Sequence, residues 1–415
     1  MKTLAEKLLS QHSGEDVRAG DILLVTPDAV MAHDGRLGQL MSLYAELGAP
    51  RTFEGEVVFV LDHYAPPPTA QLAGLHRDIR EFAARVGARV YDVGEGICHN
   101  LMTERGHVAP GRVVVGTDSH CTTYGALNAF GVGVESSDVV ALLATKKVWF
   151  RVPETIRVEL TGALPQGVTT KDVTLWLLAR IGEDGAAYCA FEFCGSGWRA
   201  LEMDARFTLS NHCAELGAKA ALQPFDERTR TWLGARGIVD YRPVAVDDGA
   251  VYVETLRCDL STLQPQVAIE HHIDRVVPVM ERAHTRVDVA FIGSCTNGRL
   301  QDLRDAVSAL GGKRVAAGTR LLVNPGSKEV YLAALREGLI TALIEAGATV
   351  LPPGCGSCVA MNRQYVPADG EVVVSSANRN FQGRLGNKNA EVYVASPATV
   401  AASAAAGHLA TGAAT

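Results

Sequence analysis

The sequence lacks the features of membrane-spanning and exported chains. No hydrophobic run reaches the roughly 20 residues that cross a bilayer. The first residues, MKTLAEKLLSQHSGED, predict a short amphipathic helix without the apolar stretch of a signal peptide. We therefore expect a cytoplasmic chain with no part in a membrane.

The sequence also has fewer positively charged than negatively charged side chains. Lys and Arg number 39 against 46 Asp and Glu, so the formal net charge is −7. Nucleic-acid-binding domains usually carry a basic patch or an overall positive charge. We therefore expect no nucleic-acid partner.

The chain has no tandem repeat, and strand-like and helix-like segments alternate along it. Continuous apolar runs predict strands buried on both faces of a parallel sheet. These runs are 55–63, 112–120, 287–295, 319–326, 370–380 and 390–397. A chain of 415 residues is too long for one core, and the alternation predicts an α/β fold. We place α/β domains at residues 1–152, 153–284 and 285–415.

Two helices have clear end signals. Thr169 and Asp172 predict a capping box at the start of a helix. Ser396 and Pro397 predict the start of another helix, which should stop at Gly407.

Four predicted strands run directly into polar loops with the sequences DHYAPP, GTDSHCTT, GSCTNGR and SSANRNFQGR. In open α/β sheets, ligands bind beyond the carboxyl ends of the strands. Four such loops rich in Asp, His, Cys, Asn and Arg therefore predict one shared binding cleft.

The nine cysteines suggest reduced thiols rather than a disulfide framework. Cys355 and Cys358 form a C-x-x-C pair, but a second pair or an H-x₃₋₅-H that would complete a zinc site is absent from the sequence. With Cys295 they could bind an iron–sulfur cluster that leaves one iron free as a Lewis acid. A redox dithiol and buried structural thiols remain the alternatives.

Acid–base pairs follow two of the strands, Asp62 with His63 and Asp118 with His120. A carboxylate raises the pKa of a neighbouring imidazole, which suits proton delivery to a leaving hydroxyl. Arg379 and Arg384 could bind a substrate carboxylate with two parallel hydrogen bonds. Ordinary loop hydrogen bonds and solvated arginines are the competing interpretations.

Six motifs, in this order, together resemble the aconitase family: DHYAPP, GICHN, GTDSH, GSCTNGRLQDLR, PGCGSCVAMN and SSANRNFQGR. The resemblance implies α/β domains around one [4Fe–4S] cluster per subunit, with Cys295, Cys355 and Cys358 as its ligands. It also implies a hydro-lyase that reversibly dehydrates a hydroxy-di- or tricarboxylic acid.

The resemblance further implies residue roles. Asp62 and His63 would protonate the departing hydroxyl, and Asp118 would hold His99. His120 would contact that hydroxyl or water, and Glu215 would polarise the water. The implied cluster-lining residues are Asn211, Asn297 and Asn378. The implied substrate-binding residues are His33, Asp34, Ser119, Arg379 and Arg384.

Two motifs depart from the family pattern where the substrate pocket is expected. Residues 210–215 read SNHCAE where members often have CNMAIE or CNMGAE, and residues 33–38 read HDGRLG where HDVTSP is common. The resemblance implies 3-isopropylmalate as the first candidate substrate and homoaconitate or homocitrate as the second. Smaller diacids such as citraconate, maleate or dimethylmaleate come third.

The resemblance also implies a partner. In the aconitase family the catalytic base lies on a swivelling domain, and split members carry that domain on a small subunit. We expect this chain to pair with such a small subunit. An RNA-binding regulator is the rival from another class, since some relatives bind RNA, and a salt-dependent filter-binding assay would test it.

Overall fold

Strands and helices alternate along the chain in the computed structural model, which describes residues 1–48, 50–359 and 364–412. The α/β class predicted from the sequence is confirmed. The last three residues of the PGCGSCVAMN motif, 360–362, lie outside the described residues. The strands are β1 Ile22–Val25, β2 Ala29–His33, β3 Glu56–Val60, β4 Arg89–Tyr91, β5 Val113–Gly116, β6 Phe130–Gly133, β7 Val148–Arg151, β8 Thr155–Thr161, β9 Ala190–Cys194, β10 Ala220–Leu222, β11 Glu254–Asp259, β12 Gln266–Ala268, β13 Val276–Pro278, β14 Val289–Ile292, β15 Arg320–Val323, β16 Thr349–Val350, β17 Val372–Ser375 and β18 Glu391–Ala395. The helices are α1 Leu4–Ser13, α2 Asp34–Leu47, α3 Ala70–Val86, α4 Cys98–Glu104, α5 Ser136–Thr145, α6 Thr170–Ile181, α7 Ser196–Ala200, α8 Met203–His212, α9 Glu227–Gly234, α10 Ser294–Asn297, α11 Leu300–Leu310, α12 Lys328–Arg336, α13 Leu339–Ala346 and α14 Pro397–Ala406.

Each apolar run that predicted a buried strand contains one, namely β3, β5, β14, β15, β17 and β18. The strands are shorter than the runs because the polar residues at the ends leave the sheet. All four residues of β5 and of β14 are buried, as expected for strands covered on both faces.

Both predicted helix starts are confirmed. The Thr169 backbone N–H donates to the Asp172 side chain at 2.8 Å, which closes the capping box of α6. The Ser396 hydroxyl accepts from the Thr399 N–H at 3.2 Å at the start of α14. That helix ends at Gly407, whose φ of 77° is easily reached only by a residue without a side chain.

The chain forms two compact units. Unit 1 comprises residues 1–92, 98–161 and 186–258. It contains a parallel five-stranded sheet in the order β4-β3-β2-β5-β6. It also contains a four-stranded sheet in the order β10-β9-β8-β11 and the antiparallel ribbon β1-β7.

Unit 2 comprises residues 93–97, 162–185 and the chain from residue 259 onward. Its seven-stranded sheet has the order β13-β12-β18-β17-β14-β15-β16. The strands from β18 to β16 are parallel, and only the β12 and β13 pairings are antiparallel. Apolar side chains of this sheet, including Ile292 and Val323, pack with Leu303 and Val400 of α11 and α14 in one core.

The predicted division into domains 1–152, 153–284 and 285–415 stays a prediction. Among the helices in the described ranges, none has both the length and the apolar character needed to cross a membrane.

Candidate active site

Unit 1 brings its predicted histidines and carboxylates together at one edge of the five-stranded sheet. His33 ends β2, Asp62 and His63 follow β3, and Asp118 follows β5. Because β3, β2 and β5 are parallel neighbours, their carboxyl ends lie side by side. The Nε2 atoms of His33 and His63 are each 3.9 Å from Asp118 Oδ2.

The Asp62–His63 pair is buried at this edge. His63 Nδ1 donates to Asp62 Oδ1 at 2.8 Å, and the Cys98 backbone N–H donates to Asp62 Oδ2 at 2.8 Å. Burial opposes the imidazolium, but the Asp62 carboxylate outweighs it and raises the pKa of His63 to about 9. His63 is therefore a protonated donor at neutral pH, with its Nε2 directed away from Asp62.

His33 has the opposite electrostatic character. Its ring stacks on that of His63 with 3.8 Å between the ring centroids. Burial, together with the positive charge of His63, lowers the pKa of His33 to about 4. The stacked pair therefore holds one charged and one neutral imidazole, since two charged rings at this separation would repel each other.

Asp118 joins two further histidines. Its Oδ1 accepts from His99 Nε2 at 2.8 Å and from the His120 backbone N–H at 2.8 Å, and it lies 3.3 Å from His120 Nδ1. His120 Nε2 in turn donates to Glu215 Oε1 at 2.8 Å. Burial disfavours the charged forms, but these contacts hold the pKa of Asp118 well below its usual range and raise the pKa of His120.

Ser119 and Asn211 flank this network. Ser119 is exposed, and its hydroxyl lies 3.4 Å from His120 Nδ1. Asn211 is buried on α8, where its side-chain N–H donates to the Thr123 hydroxyl at 2.8 Å.

Asp34 lies behind the His63 loop. It has almost no exposed surface, and its carboxylate accepts from the backbone N–H groups of His63 and Tyr64, each at 2.9 Å. His76 Nε2, on α3, donates to the same carboxylate at 2.9 Å. Asp34 therefore holds the backbone of the His63 loop, and its predicted contact with substrate stays a prediction.

The ligand atoms of His33, Asp34, Asp62 and His63 lie within 4.8 Å of one another, close enough for a metal ion. However, each Asp34 oxygen and one Asp62 oxygen already accept backbone N–H groups. These hydrogen bonds fix the two carboxylates beside the imidazoles, an arrangement suited to proton transfer.

The Asp62–His63 pair makes a testable prediction about protonation. The His63 imidazolium should stabilise the fold fully below the ordinary histidine pKa of about 6.5, and this contribution should be lost as pH rises through about 9. In Asp62→Asn the charge that raises the pKa is gone and burial remains, so the pKa of His63 should fall by more than about two units. The measurement is a pH titration of the His63 Cε1–H signal in ¹³C-histidine-labelled protein.

Asp28→Asn is the matched control, because Asp28 accepts from a different histidine, His12, at 2.9 Å. The His63 titration should not change in this variant. A His63 that titrates near neutral pH in the unmodified protein would contradict the prediction.

Unit 2 brings the three candidate thiols to one edge of the seven-stranded sheet. Cys295 lies in α10 directly after β14, whereas Cys355 and Cys358 lie in a loop after β16 that contains a short 3₁₀ turn, Gly356–Cys358. The α10 segment and this turn contact each other. All three thiols are buried.

The thiols have polar neighbours suited to negative charge on sulfur. Asn378 Nδ2 lies 3.7 Å from Cys295 Sγ, and Arg384 Nη2 lies 3.6 Å from Cys358 Sγ. Arg384 Nε also donates to the Cys358 carbonyl at 2.9 Å. A cation next to a thiol favours the thiolate, which is the form that binds metal.

The backbone around the thiols is tightly constrained. A Cβ at Gly356, which has a φ of 59°, would lie only 1.4 Å from Asn324 Oδ1, so only glycine fits there. Ser294, next to Cys295, has a φ of 80°, an unfavourable value of the kind that concentrates at functional sites.

The other predicted residues of unit 2 are near these loops. Asn297 Nδ2 donates to Asp302 Oδ1 at 2.9 Å at the start of α11. Arg379 is half-buried directly after Asn378.

The sequence did not point to two buried basic residues, one in each unit. Lys171 is fully buried, and its ammonium group donates to the carbonyls of Ser376 and Ala377 at 3.2 and 2.8 Å, directly before Asn378. His76 is the second. A lysine in a first helical turn and a histidine on an amphipathic helix are both common in sequences and do not by themselves indicate a function. The one available signal for His76 was its position on the buried face of α3, together with Ile79 and Val86.

Comparison with known proteins identifies the class. The profile of the aconitase family (aconitate hydratase) matches residues 6–286 and 279–407. The chain belongs to this family. The fold agrees, since the crystal structure of holo aconitase X from Thermococcus kodakaraensis matches with a TM-score of 0.55 at 11% identity, over 97% of this chain and 96% of that one.

Two groups of curated relatives are similar over their full length. The 3-isopropylmalate dehydratase large subunit 1 of Methanopyrus kandleri is 46% identical over 410 residues, which is 98% of each chain. The corresponding large subunit 1 of Thermotoga maritima is 44% identical over 98% of each chain. The homoaconitase large subunit of Thermus thermophilus is 43% identical over 99% of this chain and 97% of its own.

Proposed function

We propose that this chain is the large, catalytic subunit of a 3-isopropylmalate dehydratase, an iron–sulfur hydro-lyase. The observation that carries the proposal is the pair of buried carboxylate–imidazole systems at one sheet edge, Asp62–His63 and Asp118 with His99 and His120. Hydroxide is a poor leaving group, and such pairs deliver the proton that allows it to leave as water. Full-length similarity to 3-isopropylmalate dehydratase large subunits supports the choice of substrate.

Homoaconitase is the second candidate. It is favoured by the 43% identity to the Thermus thermophilus large subunit, close to the values for the dehydratases. Both candidate enzymes would reversibly dehydrate a hydroxy acid, so the acid–base residues would have the same roles in each. The difference would lie in the part of the pocket that contacts the distal substituent.

The thiols of Cys295, Cys355 and Cys358 would hold a [4Fe–4S] cluster. The donor set fits this group, because all three thiols are buried and two have an amide or guanidinium N–H within 3.7 Å of sulfur. A cluster bound by three cysteines has one iron without a protein ligand, which acts as a Lewis acid toward a substrate hydroxyl.

The residues of the chain would supply the proton chemistry. His63, charged at neutral pH, gives its Nε2 proton to the departing hydroxyl oxygen, and Asp62 stabilises and orients its ring. Glu215 and His120 hold a proton between them and orient the water. Asp118 keeps His99 and His120 in the tautomers that this requires. Arg379 would bind a substrate carboxylate.

A small subunit would supply the remaining chemistry. Dehydration also needs a base for the proton alpha to a carboxylate, and the family resemblance assigns that base to a swivelling domain outside these residues. The similar proteins are named large subunits. We infer that this chain acts in a complex in the cytoplasm, where cysteine ligands stay reduced.

The test is an anaerobic assay of the reconstituted chain with and without a small subunit, which is to be sought among the products of neighbouring genes. The substrate panel contains 3-isopropylmalate, homocitrate, homoaconitate, citraconate, maleate and dimethylmaleate, and formation of the unsaturated acid is followed by ultraviolet absorbance. We expect about four iron and four sulfide per chain, and turnover of 3-isopropylmalate only in the complex. Zinc without labile sulfide, full activity of the chain alone, or preference for another acid would each overturn the corresponding part of the proposal.

A further inference from the structure

We propose that His76 is a positioning residue that fixes the backbone of the proton donor His63 through Asp34. The proposal rests on the proposed function, because that function makes His63 the proton donor. It concerns a contact between Asp34, the first residue of α2, and His76 on α3.

Asp34 is the centre of the arrangement. Its Oδ1 accepts from the His63 N–H, and its Oδ2 accepts from both the Tyr64 N–H and His76 Nε2, all at 2.9 Å. Hydrogen bonds to a carboxylate are stronger and shorter than those between neutral groups. Two consecutive peptide groups of the catalytic loop are therefore held by one side chain.

His76 holds that side chain in turn. It is 1% exposed on the face of α3 that also buries Ile79, Phe82 and Val86. A carboxylate can only accept, so His76 must carry a proton on Nε2. Its Nδ1 is buried and has no hydrogen-bond partner among the described residues, so the donation to Asp34 is the contact that this polar ring makes.

A histidine in this position lowers the stability of the fold relative to an apolar residue. A buried polar atom without a partner costs about 1–3 kcal/mol, and an apolar side chain would pack on the α3 face without that penalty. We therefore attribute the histidine at this position to its hydrogen bond with the Asp34 carboxylate. Without it, Asp34 could rotate, and the His63 backbone would lose the fixed position from which its ring reaches both Asp62 and a substrate oxygen.

Two amide variants separate a positioning role from a general structural one. His76→Gln places its N–H donor near the position of Nε2, whereas His76→Asn places it near Nδ1, out of reach of Asp34. Both variants are polar and uncharged, and both should fold. In the complex with the small subunit, His76→Asn should lower kcat about 10- to 100-fold with less than a threefold change in KM, and His76→Gln should restore most of kcat.

Amide hydrogen exchange of the chain provides a readout that does not depend on activity. In His76→Asn, the peptide that contains His63 and Tyr64 should exchange at least tenfold faster, because Asp34 no longer holds both N–H groups. The His76→Gln variant should exchange like the unmodified protein. The exchange measurement needs no substrate, so it tests the role of His76 even if no acid of the panel is turned over. Failure of the proposed function and failure of this proposal are therefore distinguishable.

His107→Asn is the matched control. His107 is also buried in unit 1, where it bonds to Tyr91 at 2.7 Å and to Glu56, and neither bond involves Asp34 or His63. The His107→Asn variant should change neither kcat nor the amide exchange of the peptide that contains His63. The proposal is overturned if His76→Asn leaves kcat and exchange unchanged, if Gln and Asn variants behave alike, or if His107→Asn produces the same losses.

Discussion

Serine in place of Cys295, Cys355 or Cys358 is expected to reduce bound iron and labile sulfide to near zero. Serine is a harder and more basic ligand than a thiolate and binds iron of a cluster poorly. With one ligand removed, two thiolates cannot retain the cluster, so all activity that depends on it should also be lost. The measurement is iron and sulfide content, together with the visible absorbance of the anaerobically reconstituted protein.

The control for this prediction is Cys213→Ser. Cys213 is also buried, and its thiol donates to the Leu209 carbonyl at 3.2 Å, a bond that a serine hydroxyl can replace. Its cluster content should equal that of the unmodified protein. Full cluster loading in any of the three serine variants would show that the ligands were assigned wrongly.

Asparagine in place of Asp118 is expected to lower kcat about 1,000-fold, within the range of about 10²–10⁴ for general acid–base catalysis. The change keeps the shape of the side chain but removes the charge that His99 and His120 face. Only one oxygen could still accept, and the new NH₂ group would face N–H donors. Steady-state kinetics of the complex measures the effect, and unchanged iron content would show that the cluster site is intact.

The Asp28→Asn variant serves again as the control, because Asp28 bonds to His12 and to the Val113 N–H at the opposite end of β5 from Asp118. It should keep kcat within about twofold of the unmodified enzyme, because neither hydrogen-bond partner of Asp28 belongs to the acid–base network. An Asp118→Asn enzyme with normal kcat would contradict the role given to the Asp118 network.

Local chemistry made much of this protein predictable from its sequence. The continuous apolar runs correspond to β3, β5, β14, β15, β17 and β18, because a strand covered on both faces needs no polar alternation. The capping residues Thr169 and Ser396 marked helix starts, since their side chains satisfy backbone N–H groups only a few residues away. The four polar loops were also visible in the sequence, because they directly follow predicted strands, whereas the roles of individual residues in them came from the family resemblance.

Contacts between distant parts of the chain were not predictable in the same way. Arg384 donates to the Cys358 carbonyl, 26 residues away, a contact that its motif did not indicate, and its predicted contact with a substrate carboxylate stays a prediction. Both oxygens of Asp34 accept from the His63 loop or from α3, contacts that its motif did not indicate, and its predicted contact with substrate stays a prediction. A side chain's partner depends on which elements pack beside it, and short sequence motifs do not record this.

The sequence by itself determined the α/β class, the strand positions, the loops that carry the chemistry and the family. These properties follow from periodicity, capping and local motifs, which act over a few residues. Only the tertiary structure decided how the groups are paired. His120 meets Glu215 across 95 residues and His76 meets Asp34 across 42, because sheet order and helix packing set those distances. The same burial and pairing separate the pKa values of the stacked His33 and His63, which as isolated side chains would titrate alike.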